Sequence, residues 1–193
     1  MGVTEIEAFD EDGVDAHNLP NQFYRKEDLL QFKTDALALI LHQFTDAEVL
    51  SKARFYKNQP LQETVVVATD SMSSRKLVWE QFLKQPQARV LIEARMGAEM
   101  GIVYTIVKTP KVFGYQIIPA EKKFYEEMLY PDSSVKPLPC TAKTIIYNVL
   151  MLASLISRAY KGVLMGESVP KEMTFSMTNL TERSWMVRDE QAV

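Results

Sequence analysis

Only one cysteine, Cys140, occurs in the chain, so no internal disulfide can form and a reducing, cytoplasmic setting is expected. A single thiol also excludes a structural zinc centre made from two Cys-x-x-Cys pairs. The two histidines, His17 and His42, have no companion at metal-ligand spacing and read as structural. Glycine is scarce as well: there are seven, and none forms G-x-G-x-x-G, the turn whose backbone amides cradle a pyrophosphate. The longest uncharged run, Thr144 to Ser157, is 14 residues, short of the roughly 20 that cross a bilayer. No basic-plus-apolar leader opens the chain. A net charge of −3 gives no overall bias toward nucleic acid or anionic membrane.

What is present is ordinary material for a globular domain. The 193 residues are 47% hydrophobic and 24% charged, enough for one sizeable core, and one domain spanning 1–193 is the default. Val3 to Phe9 alternates enough to predict a short strand. Leu29, Leu30, Phe32, Ala36, Leu37, Ile40, Leu41 and Phe44 recur at three- and four-residue spacing and predict a helix from about Lys26 or Asp28 to Phe44. Val49 to Tyr56 is a candidate third strand. Val65 to Ala68 is an apolar β-branched run of the kind buried on both faces of a parallel sheet. A helix through Leu83 should follow it, then strands at Arg89 to Glu93, Ile102 to Val107 and Val112 to Ile118. Helices are predicted over Ala120 to Tyr130 and Thr141 to Lys161, the latter apolar nearly all round and so destined for a core or a subunit interface. Thr174 to Thr178 looks strand-like.

Between the first strand and the first helix lies Phe9 to Lys33, FDEDGVDAHNLPNQFYRKEDLLQFK. Acids leaving the C-terminal end of a strand stand where open α/β sheets bind ligands, and one fixed carboxylate there can accept ribose hydroxyls. Asp10 is the candidate. The alternative is a turn, rich in Asp, Gly and Asn because those residues favour turns. Lys33 is either a salt-bridged surface lysine or a phosphate contact. Asp70, at the end of the valine run, holds Mg²⁺ together with phosphate oxygens, or else Asp70 or Ser71 caps the next helix.

Taken together, Asp10-x-Asp12-x-Val14-x-x-x-Asn18-Leu19-x-Asn21-Gln22, with Lys33 eleven residues on, resembles the D-x-D-x-V-x-x-x-N-L-x-R-Q…K signature of the ThiF/MoeB/HesA family. These are the adenylyltransferases related to ubiquitin-activating enzymes. Val65 to Asp70 followed by Arg75 is similar to that family's strand, metal-binding Asp and downstream arginine. Pro139-Cys140-Thr141-Ala142-Lys143 is similar to the surroundings of the cysteine that forms a thioester in eukaryotic activators. The match runs from Val3 to about Gly162. Asn21 stands where the family usually has arginine, a role Arg25 is placed to fill, and the first strand and Gly-rich loop of the pattern are expected to lie before Met1.

The resemblance implies an α/β, Rossmann-like, doubly wound and mostly parallel sheet with helices on both faces and an antiparallel extension. It implies ATP and Mg²⁺ as cofactors, no zinc, and a homodimer or heterodimer acting on a small ubiquitin-like or sulfur-carrier protein. Asp10, Asp12, Asn18, Asn21, Gln22, Arg25 and Lys33 would bind nucleotide and Asp70 the metal. Lys33, Asp70 and Cys140 would be catalytic, with the cysteine read equally as a small buried hydrophobe. A non-catalytic subunit that scaffolds a partner or holds a carrier is the alternative.

Overall fold

The computed structural model describes residues 3–97, 99–134, 146–179 and 181–185. They form two compact units, Met1–Lys57 and Asn58–Val193.

The first unit is a single strand–helix–strand crossover. Strand β1 (Glu5–Phe9) pairs in parallel with β2 (Glu48–Lys52), from Glu5 opposite Glu48 to Phe9 opposite Lys52. A parallel pair needs a long connection that returns the chain to its starting end. That connection carries helix α1 (Lys33–Leu41), which packs on β2. The helix is shorter than its apolar spacing predicted, for two local reasons. Asp28 turns back on Arg25 and closes a 3₁₀ turn over Lys26–Asp28. Leu30 then takes φ 69° and donates its N–H to the Val14 carbonyl at 2.9 Å rather than to a preceding turn. Such a backbone is costly for a residue with a Cβ.

The second unit holds a five-stranded sheet in the order β3-β4-β5-β8-β9. Strand β3 (Thr64–Val67) runs parallel to β4 (Val90–Gly97), with helix α2 (Met72–Lys84) as the crossover. β5 (Met100–Val107), β8 (Glu172–Ser176) and β9 (Thr181–Trp185) extend the sheet antiparallel. Two short strands, β6 (Thr109–Pro110) and β7 (Tyr115–Gln116), pair with each other. They replace the longer strand predicted over 112–118, where Gly114 at φ 78° turns the chain. Helix α3 (Pro119–Glu127) starts on a proline at its first position, where a missing N–H costs nothing.

The architecture is thus α/β and Rossmann-like, as the sequence implied, with parallel pairing in β1–β2 and β3–β4 and a long antiparallel extension. Helices cover both faces of the second unit's sheet. The alternate residues Val90, Ile92 and Ala94 of β4 pack with Val103, Met173 and Phe175 under Leu152, Leu155 and Ala159 of helix α4 (Ile146–Leu164). Residues Leu91 and Glu93 point the other way, toward α2 and α3. The fully buried Phe82 stacks with Trp79 at 5.8 Å between ring centres, and Trp79 meets Tyr125 of α3 at 4.6 Å. Burying a phenylalanine of this kind contributes about 2–3 kcal/mol.

Two expectations change with this placement. The valine run is not covered on both faces: β3 ends the sheet among the described residues, and Val66 is 51% exposed. Helix α4 has a distinct outer side, with Ala153, Ser154, Ser157, Arg158 and Lys161 exposed, so one face suffices for its burial. Among the described residues no helix is long and apolar enough to cross a membrane.

Candidate functional site

The loop after β1 folds back on itself. Gly13 bridges Phe32, Val14 N–H donates to the Gln31 carbonyl at 2.8 Å, and Lys33 N–H donates to the Asp12 carbonyl at 2.9 Å. This closure brings three of the sequence-predicted residues together at the C-terminal end of β1. Asp10 Oδ1 accepts the Asp12 N–H at 2.8 Å, and the Lys33 ammonium donates to Asp12 Oδ2 at 2.7 Å. The Lys33 side chain is 14% exposed and that of Asp12 63%, so the pair is half in water and contributes little stability. Lys33 is also the first residue of α1. A cation there opposes the positive end of its own helix by about 0.3–1 kcal/mol, and Asp12 offsets it. An anion arriving at this point would meet both the ammonium and the helix terminus.

The remaining loop residues hold the loop's shape. Asn18 is buried, accepts the Asp15 N–H through Oδ1 at 2.8 Å, and its carbonyl takes the N–H groups of Asn21 and Gln22. Asn21 Nδ2 donates to the His17 carbonyl at 3.2 Å. Arg25 grips Asp28 with two guanidinium bonds of 3.0 and 2.7 Å and also pairs with Glu27 at 2.7 Å. The guanidinium bonds hold the Asp28 carboxyl below its usual range. Tyr24 donates to the Lys33 carbonyl at 3.4 Å. Burial first, then the carboxylates of Asp10, Asp28 and Asp12, push its phenol up to about 12, so it stays a proton donor.

Asp70 belongs to the second unit. It follows β3, is exposed, and its carboxylate makes no hydrogen bond or ion pair among the described residues. It is not the cap of α2. Ser71 does that, its Oγ accepting the Ser74 N–H at 3.2 Å, and Asp132 accepts Met72 N–H at 2.6 Å and Ser73 N–H at 3.2 Å. Asp132 comes from sixty residues away, so no local signal points to it, and the loop composition around it reads only as a connection.

Behind Asp70 lies a buried cluster of which the sequence pattern points only to Arg75. Glu93 of β4 is fully buried and its two oxygens take Arg75, Arg95 and Tyr125. Arg75 Nη1 also donates to the Ala94 carbonyl at 3.0 Å and Nη2 to the Thr69 carbonyl, the peptide immediately before Asp70. Arg95 donates to the Met128 carbonyl at 2.8 Å and lies over the Tyr104 and Tyr130 rings. Burial lowers the affinity of Arg75 for its proton, and Glu93 counteracts it. Burial, then Glu93, pushes the Tyr125 phenol far up. An acid ending an otherwise apolar strand was the available clue to Glu93. Cys140 lies outside the described residues.

No protein-family model matches the chain, and no curated protein matches it. Among solved structures it is similar to MccB from E. coli. The crystal structure of MccB with ATP superposes with a TM-score of 0.68 at 16% identity, covering 95% of this chain and 56% of that one. MccB with AMPCPP and MccA gives 0.69 at 17% identity, again over 95% and 56%. MccB alone gives 0.69 at 17%, over 95% and 55%. The likeness is one of fold, and the chain spans little more than half the length of MccB.

Proposed function

We propose that the chain serves ATP-dependent adenylation of the C-terminal glycine of a small ubiquitin-like or sulfur-carrier protein. The observation that carries this reading is the closure of the loop after β1, which sets Asp10, Asp12 and Lys33 in hydrogen-bonded contact at the ligand edge of a parallel strand pair. The fold that holds them is shared with MccB, which has been crystallised with ATP.

In this reading Asp10, with one oxygen committed to Asp12, orients the ribose through the other. Lys33 exchanges Asp12 for a phosphate oxygen, which moves the ammonium by no more than a side-chain rotation. Asn18, Asn21, Gln22 and Arg25 keep the loop in shape around the nucleotide. The carrier's carboxylate attacks the α-phosphorus, pyrophosphate departs, and charge neutralisation and positioning supply the acceleration. Asp70 offers a single exposed carboxylate, which suits Mg²⁺, since that ion takes one or two carboxylates with phosphate and water completing its shell. Bound there, the ion would neutralise phosphate charge. Cys140 would then accept the acyl group as a thioester with loss of AMP. The family resemblance makes a homodimer or heterodimer the working assembly.

A second reading draws on the same geometry. Two cations of the loop already have partners, Lys33 with Asp12 and Arg25 with Asp28 and Glu27, as suits a non-catalytic subunit that scaffolds an active partner or holds a carrier. ATP–pyrophosphate exchange with a set of small carrier proteins separates the two. Exchange that Lys33→Ala and Asp70→Ala each abolish supports adenylation. Exchange indifferent to both removes these site assignments, and carrier binding with no exchange at all favours the scaffold.

A further inference from the structure

At the start of β4 and the far end of β5 the second unit contains a cavity of about 340 Å³. β3 and β4 run parallel, so Asp70, beyond the C-terminal end of β3, belongs to the other end of the sheet. The cavity is therefore separate from anything assigned to Asp70. Its walls come from Arg89 before β4, Thr105 and Val107 of β5, Glu121 in the first turn of α3, and the stretch from Val163 to Lys171. Gly166, at φ 65°, turns the chain out of α4, and Glu167 N–H bonds back to the Gly162 carbonyl at 2.8 Å. Thr105 N–H to the Lys171 carbonyl, 2.9 Å, fixes the opposite wall.

Three of these residues present buried polar atoms that lack any hydrogen-bond partner: Arg89 Nε, Thr105 Oγ1 and Glu121 Oε2. Thr105 is 3% exposed and Glu121 7%. An unsatisfied buried donor or acceptor costs about 1–3 kcal/mol, and few occur in a folded domain. Three on residues lining one hollow mark a place made for a polar occupant. Arg89 Nε needs an acceptor, the free Glu121 oxygen needs a donor, and the threonine hydroxyl serves as either. The charged lining is balanced, with Arg89 and Lys171 against Glu121 and Glu167, so it disfavours a multiply charged anion such as a nucleotide. Val107, Val163 and Val169 supply an apolar wall.

We propose that this cavity binds a free aliphatic α-amino acid as its zwitterion. The carboxylate takes Arg89 Nε, the ammonium takes Glu121 Oε2, and the side chain lies against the three valines. Glu121 keeps its other oxygen on Lys171, with which it is paired in the unliganded chain. The volume sits at the small end of ligand pockets, about 300–1,000 Å³, and accommodates one amino acid.

Isothermal titration calorimetry on the full chain with L-valine and L-leucine tests this, with N-acetyl-L-valine and L-valinamide as probes lacking one charge. Saturable binding of the free amino acids is expected, weakened roughly 10- to 100-fold by either block. Glu121→Gln and Thr105→Val should weaken it, and Val163→Phe should remove it by filling the hollow while leaving every polar group in place. A folded Val163→Phe chain that binds valine as tightly as the parent overturns the proposal. So does the absence of saturable heat up to about 10 mM of either amino acid, in which case ordered water alone satisfies the three atoms. Loss or retention of pyrophosphate exchange bears on neither result.

Discussion

Two charged clusters, one centred within β4 and one in the loop after β1, are built on opposite terms. Around Glu93 one carboxylate meets two guanidinium groups and a phenol, all from buried or nearly buried residues, and the arginines extend on to the carbonyls of Thr69, Ala94 and Met128. In the loop after β1 the Lys33–Asp12 pair is partly in water, and one partner is held by a single contact. A saturated buried network has no free valence to offer a ligand and is costly to disturb. A half-exposed pair is weak, and its cation can change partners. By that criterion the Glu93 cluster is scaffold, and it fixes the peptide that presents Asp70. The Asp10–Asp12–Lys33 cluster is the one whose cation is free to exchange, which is why the proposed function rests on it.

Breaking the comparison at its strong end should have the largest effect. Glu93→Ala leaves Arg75 and Arg95 without their carboxylate and should cost about 3–5 kcal/mol of stability, read by urea denaturation. A loss below about 1 kcal/mol would show that the network does not lock the sheet. At the weak end the order reverses. Lys33→Ala should change stability by less than about 1 kcal/mol, yet lower pyrophosphate exchange by roughly 10²- to 10³-fold if its ammonium meets the transferring phosphate.

A smaller effect probes the loop's backbone. Leu30 is 90% exposed at φ 69°, so Leu30→Gly removes strain without removing packing and should raise stability by about 0.5–1 kcal/mol. A loss of stability instead would mean that the leucine side chain, not the turn, matters there.

The subtlest test uses a third charge, one that neither cluster neutralises. Lys108 is buried over the Phe82 ring, donates to the Phe82 and Gln85 carbonyls at the end of α2, and burial, then Lys111, pulls its pKa down to about 8 from 10.5. Between those values the unfolded chain holds more protons than the folded one, so this group makes stability rise with pH from about 8 to 10.5. The half-buried Tyr24 and the buried Tyr104 and Tyr125 act oppositely above pH 10, since each keeps its proton longer when folded. Subtracting the stability–pH curve of Lys108→Met from that of the parent should isolate the rising limb. A flat difference would remove the assignment.

Much of this was legible in the residues. The alternation at 3–9, the valine run that begins at Val65, the helix through Leu83 and the long apolar segment ending near Lys161 each appear as elements, because strand and helix patterning are local properties of the chain. Asp10, Asp12 and Lys33 could be named together because a recognisable spacing carried them. The loop's hairpin closure could not, since it depends on a leucine in a left-handed conformation that no propensity favours. Glu93 looked like the end of a strand, and its meaning came only when α2 and α3 delivered Arg75 and Tyr125 to it. Asp132 on the α2 amides was invisible for the same reason.

By itself the chain of residues determined periodicity, turn chemistry and the absence of a Gly-rich cradle, since these depend on neighbours within a few positions. Tertiary structure alone decided which charges are spent and which stay available: Glu93 and Arg25 are committed to close partners, while the Asp70 carboxylate is left open to solvent among the described residues. The cavity between β5, α3 and the end of α4 is likewise a product of packing. Burial and the pairing of distant polar groups are set by where elements meet, and a linear pattern does not encode that meeting.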